Sequence, residues 1–273
     1  MNDQKHNKAP IDLNLPSLPF YRLTKRAGNK LEAYENEDKS IKLVFAEGKP
    51  TTNGQKILTY LLSKAPRKDN GEIDTKSLRE KGIKWTYAEI CNYLKNNNET
   101  RNRRTIKDDM TRLGNITLHL HTKYIVKQGN ESMEYTNIRS RGLFEVSLYD
   151  ESSKHESSNQ IPLWQNTIKF DDIILDNLEN KVFRLYDVGE VQKIQSLVAI
   201  RIHGIINLHN QSKNWKIGLT KLANQIPIQT RIKRNTKQEI KEACQELTEL
   251  GLLETFDIYQ NQNNEEIIQF TFK

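Results

Sequence analysis

The sequence has few of the residues that build metal, disulfide and catalytic sites. Its two cysteines, Cys91 and Cys244, lie far apart and within helical patterns. We therefore expect reduced thiols in a core. The sequence contains no recognisable glycine-rich phosphate loop, cysteine cluster or serine nucleophile elbow. It predicts no catalytic residue, no metal site and no cofactor, and these absences argue against an enzyme.

Long hydrophobic runs are also missing. No apolar stretch approaches the roughly 18–20 residues that a membrane helix requires, and residues 1–10 lack the apolar segment of a secretory signal. The mean hydropathy is −0.77, so a polar surface must surround one large or two small cores. At about 100–150 residues per domain, the 273 residues predict two domains. We expect a cytoplasmic protein that does not associate with membranes.

The net charge of +7 is unevenly distributed. Residues 1–158 contain 28 Lys and Arg against 21 Asp and Glu, whereas residues 159–273 contain 14 of each. A basic half favours a polyanionic partner, because binding releases counterions from that partner. The alternative is that the charge serves only solubility.

A winged-helix order of elements is clearest near the C-terminus. Residues 236–239 have the spacing of a capping box that opens a helix, and Gly251 ends it. Two strand-like segments follow around a polar tip. Upstream, the pattern predicts a helix over 192–208, a short strand over 215–217 and a helix over 219–225. Helix, strand, helix, helix and hairpin together define a winged helix. The apolar face of the last helix contains Ile240, Ala243, Cys244, Leu247 and Leu250.

The first half repeats this order. The predicted elements are a helix over 51–65, a strand over 83–85, a capping box over 86–89 that opens a helix, a basic helix over 102–113 that ends at Gly114, and strands over 116–120 and 143–149. The second strand closes the wing across a long insertion over 122–141, which serves either as a wing along phosphates or as a plain exposed hairpin.

The repeat predicts an α+β protein of two tandem winged-helix domains. Residues 150–160 form a hydrophilic linker. We therefore predict a first domain over 1–155, with a partly unstructured leader, and a second domain over 156–273.

The best candidates for DNA contacts lie at the starts of the two recognition helices. The second helix of a helix-turn-helix enters the major groove, and helix N-termini also favour phosphate. Arg112 extends the basic face of the first helix. The alternative is that these charges are solvated faces of ordinary helices. The predicted DNA-binding residues are Arg101, Arg103, Arg104, Lys107, Arg231, Lys233, Arg234, Lys237, Gln238 and Lys241.

A His–hydrophobic–His strand over 119–121 suggests a different chemistry. His119 and His121 point to one face, and such a pair is typical of nucleases that nick DNA with a metal ion and a tyrosine. Residues 124–127 have the form Tyr-x-x-Lys. That tyrosine, however, lies on the same strand as the histidines, and no third metal ligand is evident. We favour a coincidental histidine pair.

Three segments resemble plasmid replication initiators with two winged-helix domains. They are residues 168–171, residues 195–202 with their Ser and Ala-x-Arg stretch, and residues 250–254. The resemblance implies that the C-terminal domain binds repeated origin sites, that the N-terminal domain combines dimer and DNA contacts, and that host replication proteins are recruited.

The sequence therefore predicts a protein that binds double-stranded origin DNA sequence-specifically. It would initiate replication of a plasmid or similar mobile element without its own catalysis. Two alternatives remain: a winged-helix transcriptional repressor and a metal-dependent origin-nicking nuclease.

Overall fold

The computed structural model describes residues 8–12, 21, 23, 31–35, 41–128, 131–149, 166–226 and 233–273. Only the backbone is described for residues 12, 121–128, 131–138, 233 and 234. No helix within these segments is long and apolar enough to cross a membrane.

Two successive units make up the described chain. The first contains β1 (Lys8–Asp12), β2 (Glu32–Glu35), β3 (Ile41–Phe45), α1 (Thr52–Ser63), α2 (Thr75–Lys81), β4 (Ile83–Trp85), α3 (Tyr87–Tyr93), α4 (Thr100–Gly114), β5 (Ile116–Gln128), β6 (Glu131–Gly142), β7 (Phe144–Ser147), β8 (Asn166–Phe170), α5 (Asp172–Glu179), β9 (Phe183–Asp187) and α6 (Val188–Lys193). The second contains α7 (Leu197–Ile206), β10 (Asn214–Gly218), α8 (Leu219–Gln225), α9 (Lys233–Glu249), β11 (Thr255–Gln260) and β12 (Glu266–Thr271).

Each unit contains a winged helix, which confirms the predicted fold class. In the first, α1, β4, α3 and α4 precede the hairpin β5–β6; in the second, α7, β10, α8 and α9 precede the hairpin β11–β12. The sheets are antiparallel, with strand orders β2-β3-β5-β6, β4-β8-β7, β1-β9 and β10-β12-β11. The first winged helix therefore carries additional strands on both sides of its sequence.

Local signals locate several element ends correctly. The capping box at the start of α3 is formed: the Glu89 amide donates to Thr86 Oγ1 over 3.2 Å, and the Thr86 amide donates to Glu89 Oε2 over 2.9 Å. Gly251 has a φ of 73°, as expected of the left-handed residue that ends α9. Both cysteines are free and buried, as predicted.

Two predicted helix boundaries are wrong. The helix over 192–208 is interrupted after Lys193, because Ser196 caps a new helix by accepting a hydrogen bond from the Ala199 amide at 3.3 Å. The last helix begins at Lys233 rather than at the Thr236 capping box. No proline or glycine lies between Lys233 and Thr236 to stop the helix from extending toward its N-terminus.

The second strand of the first wing is also predicted wrongly. Strand β6 pairs with β5 from Gly142 opposite Thr117 to Glu131 opposite Gln128, so residues 122–141 form the wing itself. Only two residues separate these strands in the sequence, and short connections of this kind favour hairpin pairing. Strand β7 pairs instead with β8.

The division of the chain after residue 155 stays a prediction, and its linker at 150–160 lies outside the described residues. The structure shows which core each later segment joins. Strand β8 lies between β4 and β7, and the first core continues through α5, β9 and α6 as far as Val191. The second core begins at Ile194. Residues 166–191, which the sequence pattern assigns to the second domain, thus complete the first unit.

A buried arginine joins the two cores. The Arg201 guanidinium of α7 donates to Gln55 Oε1 of α1 at 3.5 Å and to the Gln225 carbonyl at 3.2 Å. It also lies 5.6 Å from the centre of the Tyr21 ring. Burial lowers the pKa of Arg201 to about 10, so the side chain remains charged at neutral pH and needs these polar contacts.

The central position of β8 predicts where the chain can be cut. We expect a chain ending after residue 155 to lose cooperative thermal unfolding, because β4 and β7 no longer share a partner strand and the apolar side chains of Ile83 and Phe144 become exposed. A chain ending after residue 195 retains the first core and should unfold cooperatively. Circular dichroism melts of both fragments test this. A cooperative transition in the shorter fragment would contradict the assignment.

Candidate nucleic-acid interface

Helix α4 presents a basic face opposite its buried face. Ile106, Met110 and Leu113 are buried in the first core, as the helical period predicts. The side chains of Arg101, Arg104 and Lys107 are exposed on the other side. Arg103 is half-buried, and its Nε donates to Asn98 Oδ1 at 2.8 Å. The four predicted residues of the first domain thus lie in the first half of one helix.

A buried carboxylate fixes α4 against α1. Asp109 Oδ1 accepts a hydrogen bond from the Thr51 amide at 2.8 Å, and Oδ2 accepts one from Thr51 Oγ1 at 2.6 Å. Burial raises the pKa of Asp109, although both hydrogen bonds oppose that rise. The sequence carries a signal for this role, because Asp109 lies among the apolar positions of α4. The helical period alone does not identify its partner.

Arg112 does not extend the basic face of α4, contrary to prediction. Its side chain is buried, its Nε donates to the Glu47 carbonyl at 3.3 Å, and its Nη1 lies 4.0 Å from Asp109 Oδ1. The side chain falls on the packed side of the helix and stabilises the Asp109 carboxylate. The exposed basic face therefore ends near Lys107.

Helix α9 has a mixed polar face. Ile240, Ala243, Cys244 and Leu247 are buried, and burial raises the pKa of the Cys244 thiol to about 12. From residue 235 onward, the exposed side chains of α9 are Asn235, Gln238, Lys241, Glu242, Gln245 and Glu249.

Two of the predicted α9 residues contact acidic partners. Lys237 Nζ lies 2.5 Å from Glu266 Oε1 of β12, so this ion pair ties the helix to its wing. Gln238 Nε2 donates to Glu242 Oε1 at 2.8 Å. Glu266 is a partner that local sequence patterns do not reveal, because the pairing depends on how the wing folds back.

The structure describes the remaining predicted DNA-binding residues only in part. Arg231 lies outside the described residues. Lys233 and Arg234 begin α9, but only their backbone is described. Their role in DNA binding stays a prediction.

The histidine strand lies on β5 of the first wing. His119 Nδ1 is 2.6 Å from Ser140 Oγ on the paired strand β6. The side chains of His121 and Tyr124 lie outside the described residues. Among the described side chains, no group of three His, Cys, Asp or Glu residues is placed to hold a metal ion. The interpretation of the pair as coincidental stays a prediction.

Comparisons with solved structures reveal a similar fold in two structures of RctB domains. A selenomethionine crystal structure of domains 2 and 3 of RctB aligns with a TM-score of 0.60 at 9% identity, over 95% of this chain and 98% of that chain. A second structure of RctB domains 2–3 aligns with a TM-score of 0.56 at 12% identity, over 96% of each chain. Identities this low establish similarity of fold alone. No curated protein matches the sequence.

A comparison with protein families identifies the group to which the chain is related by sequence. The family described as "Initiator Replication protein, WH1" matches residues 37–207. The match spans β3 to α7, including the first winged helix and the strand β8 that completes its core. It confirms the resemblance to replication initiators. Because the match covers more than half of the sequence, the protein belongs to the initiator replication protein family.

Proposed function

We propose that this replication initiator binds double-stranded origin DNA at repeated sites through α4 and α9, in the cytoplasm and without catalysis of its own. The observation that carries this proposal is the exposed basic face of α4. Helix α4 occupies the position of the recognition helix, which a winged helix inserts into the major groove. The DNA belongs to a plasmid or similar mobile element. Host replication proteins and a second copy of the chain are the further partners.

Helix α4 is suited to providing affinity. Arg101, Arg104 and Lys107 recur at intervals of three residues, so they lie near one another along the helix surface. Arginine can contact phosphate or the edge of guanine with two parallel hydrogen bonds. The buried Asp109 on the opposite face holds this surface in a fixed rotation relative to α1. The basic face can therefore meet DNA without further rearrangement.

Helix α9 is suited to base recognition. Glutamine side chains such as Gln238 and Gln245 pair with adenine, lysine pairs with guanine, and glutamate accepts a hydrogen bond from cytosine N4. Glu242 lies beside Lys241 on the exposed face, so the two charges largely cancel and attraction to phosphate is weak there. We infer that α9 contributes more to sequence discrimination than to affinity.

The contribution of α4 is tested by its salt dependence. We expect the double variant R101A/R104A to bind duplex origin DNA more weakly. It should also reduce the slope of log K against log salt concentration by about 0.9 for each phosphate that the protein no longer neutralises. Fluorescence anisotropy over a salt series gives both quantities. K76A, which removes an exposed cation from α2, should leave the slope unchanged. Affinity independent of salt in the unmodified chain would contradict DNA binding by this face.

The contribution of α9 is tested by its base preference. We expect E242Q to weaken discrimination at one base pair of the site, by about 1–3 kcal/mol, while affinity for unrelated duplexes changes little. Selection from a randomised duplex pool, with the wild-type and variant chains in parallel, measures the preference. E254Q alters an exposed carboxylate that follows the end of α9 and serves as the control. An unchanged preference at every position would exclude Glu242 as a base reader.

The absence of catalysis is tested with the histidine strand. We expect supercoiled origin DNA to remain intact with magnesium or manganese, and the variant H119A/H121A to bind DNA as the wild type does. Agarose gels resolve a nicked product. A metal-dependent nick that the double variant abolishes would establish a nuclease instead.

A further inference from the structure

The segment between α6 and α7 is held from the first unit by a lysine. Lys56 on α1 extends its ammonium group to this segment, and Nζ donates to the carbonyl oxygens of Ile194 at 2.5 Å and Gln192 at 3.3 Å. The segment connects the two cores, because the first ends at Val191 and the second begins at Ile194. We call residues 192–196 the joint.

The same joint is held from the second unit by a glutamate. Glu246 on α9 accepts hydrogen bonds from the amide of Gln195 at 2.6 Å and from the amide of Ser196 at 3.1 Å. Two side chains of opposite charge thus hydrogen-bond to successive peptide groups: Lys56 donates to their carbonyl oxygens, and Glu246 accepts from their amides. Hydrogen bonds to charged groups are shorter and stronger than neutral ones.

The surroundings of these contacts make them effective. Lys56 is half-buried, and burial lowers its pKa, an effect that the Glu246 charge partly offsets. Partial burial makes an ammonium group without partners costly, which favours the contact of Lys56 with the carbonyls. Its partners are main-chain atoms. The contact therefore restrains the path of the backbone and not only a side chain.

The two charged residues connect the helices that carry the candidate DNA surfaces. Lys56 lies on α1, which also holds α4 through the contact of Thr51 with Asp109. Glu246 lies on α9 itself. A continuous series of hydrogen bonds thus runs from α4 through α1 and the joint to α9.

We propose that Lys56 and Glu246 are positioning residues that set the spacing and rotation between α4 and α9, so that the protein measures the distance between the two halves of its DNA site. This inference rests on the proposed function, in which both helices contact one duplex. Each base pair inserted between the halves moves the second half by about 3.4 Å and rotates it by about 35°. A firm joint cannot follow that change, whereas a loosened joint can.

The test compares DNA sites with different spacers. The probe is a duplex selected by the intact wild-type chain from a randomised pool, and its spacer is lengthened by one or two base pairs. We expect the wild type to lose about tenfold in affinity on the first insertion, since the second contact no longer forms at high effective concentration. The variant K56M/E246M should bind the original site more weakly and lose less on insertion. The contacts of Arg201 between the cores remain in every variant. We therefore remove both joint contacts together, because either single change leaves more of the connection in place.

Matched controls separate spacing from general stability. K76M/E254M removes one exposed lysine and one exposed glutamate outside the joint and outside both recognition helices, and it should retain the full spacing penalty. K56R keeps the positive charge and the hydrogen-bond donors. It should therefore retain much of the spacing penalty that K56M alone reduces. An equal penalty in the wild type and K56M/E246M overturns the proposal, as does a wild type that tolerates every spacer.

A measurement on the free protein tests the joint without DNA. Spin labels at E80C on α2 and T220C on α8 occupy exposed positions in the two units, whereas both native cysteines are buried. Pulsed electron paramagnetic resonance should give one narrow distance distribution between the labels in the wild-type background and in K76M/E254M, and a broader one in K56M/E246M. An unchanged distribution in K56M/E246M overturns the proposal. Failure of all chains to bind duplex DNA would overturn the proposed function, while this distribution would still decide whether Lys56 and Glu246 hold the joint.

Discussion

The contact between Asp109 and Thr51 is the constraint on which the arrangement of the first unit depends. A carboxylate inside a core must receive hydrogen bonds, because burial without them is expensive. The start of α1 supplies two to Asp109. That requirement fixes where α1 begins relative to α4. From this position, α1 directs Gln55 toward Arg201 and Lys56 toward the joint. One short helix therefore connects a candidate DNA surface, the second core and the chain segment between them.

The two recognition helices show how one fold accommodates different tasks. Both bury an apolar stripe and expose the opposite side, so their backbones are equivalent in position. Their described exposed side chains differ: α4 is rich in arginine in its first half, whereas α9 from residue 235 onward carries amides, a lysine and carboxylates. Long-range attraction to a polyanion depends on net charge, whereas discrimination among bases depends on the geometry of individual donors and acceptors. The composition of each helix thus matches one of these two requirements.

Much of the fold is predictable from the sequence, because winged helices are built from local signals. The period of the apolar residues locates α1 and α9, and the Thr86 capping box and Gly251 mark boundaries that the structure reproduces. Strand β4 and helix α8 are found at their predicted positions. The family resemblance is likewise visible in short segments of the sequence.

The features that sequence patterns miss depend on partners that are distant along the chain. Nothing local indicates that β7 pairs with β8 or that Lys237 meets Glu266. The same holds for Lys56 and Glu246, which look like ordinary surface charges of amphipathic helices until the joint passes between them. Arg112 lies beside the apolar stripe of α4, and the sequence pattern therefore predicts a surface cation there. Only the packing of the folded chain shows that its side chain is buried.

The central place of β8 has a consequence for how the protein is made. Its partners β4 and β7 precede it in the sequence, so the ribosome releases both of them first. Until residues 166–170 emerge, each presents an open hydrogen-bonding edge of the kind that invites pairing with other chains. Vectorial synthesis normally allows an N-terminal unit to fold early. Here the sheet closes only when a later strand arrives, and β4 therefore lacks its partner while residues 86–165 are synthesised.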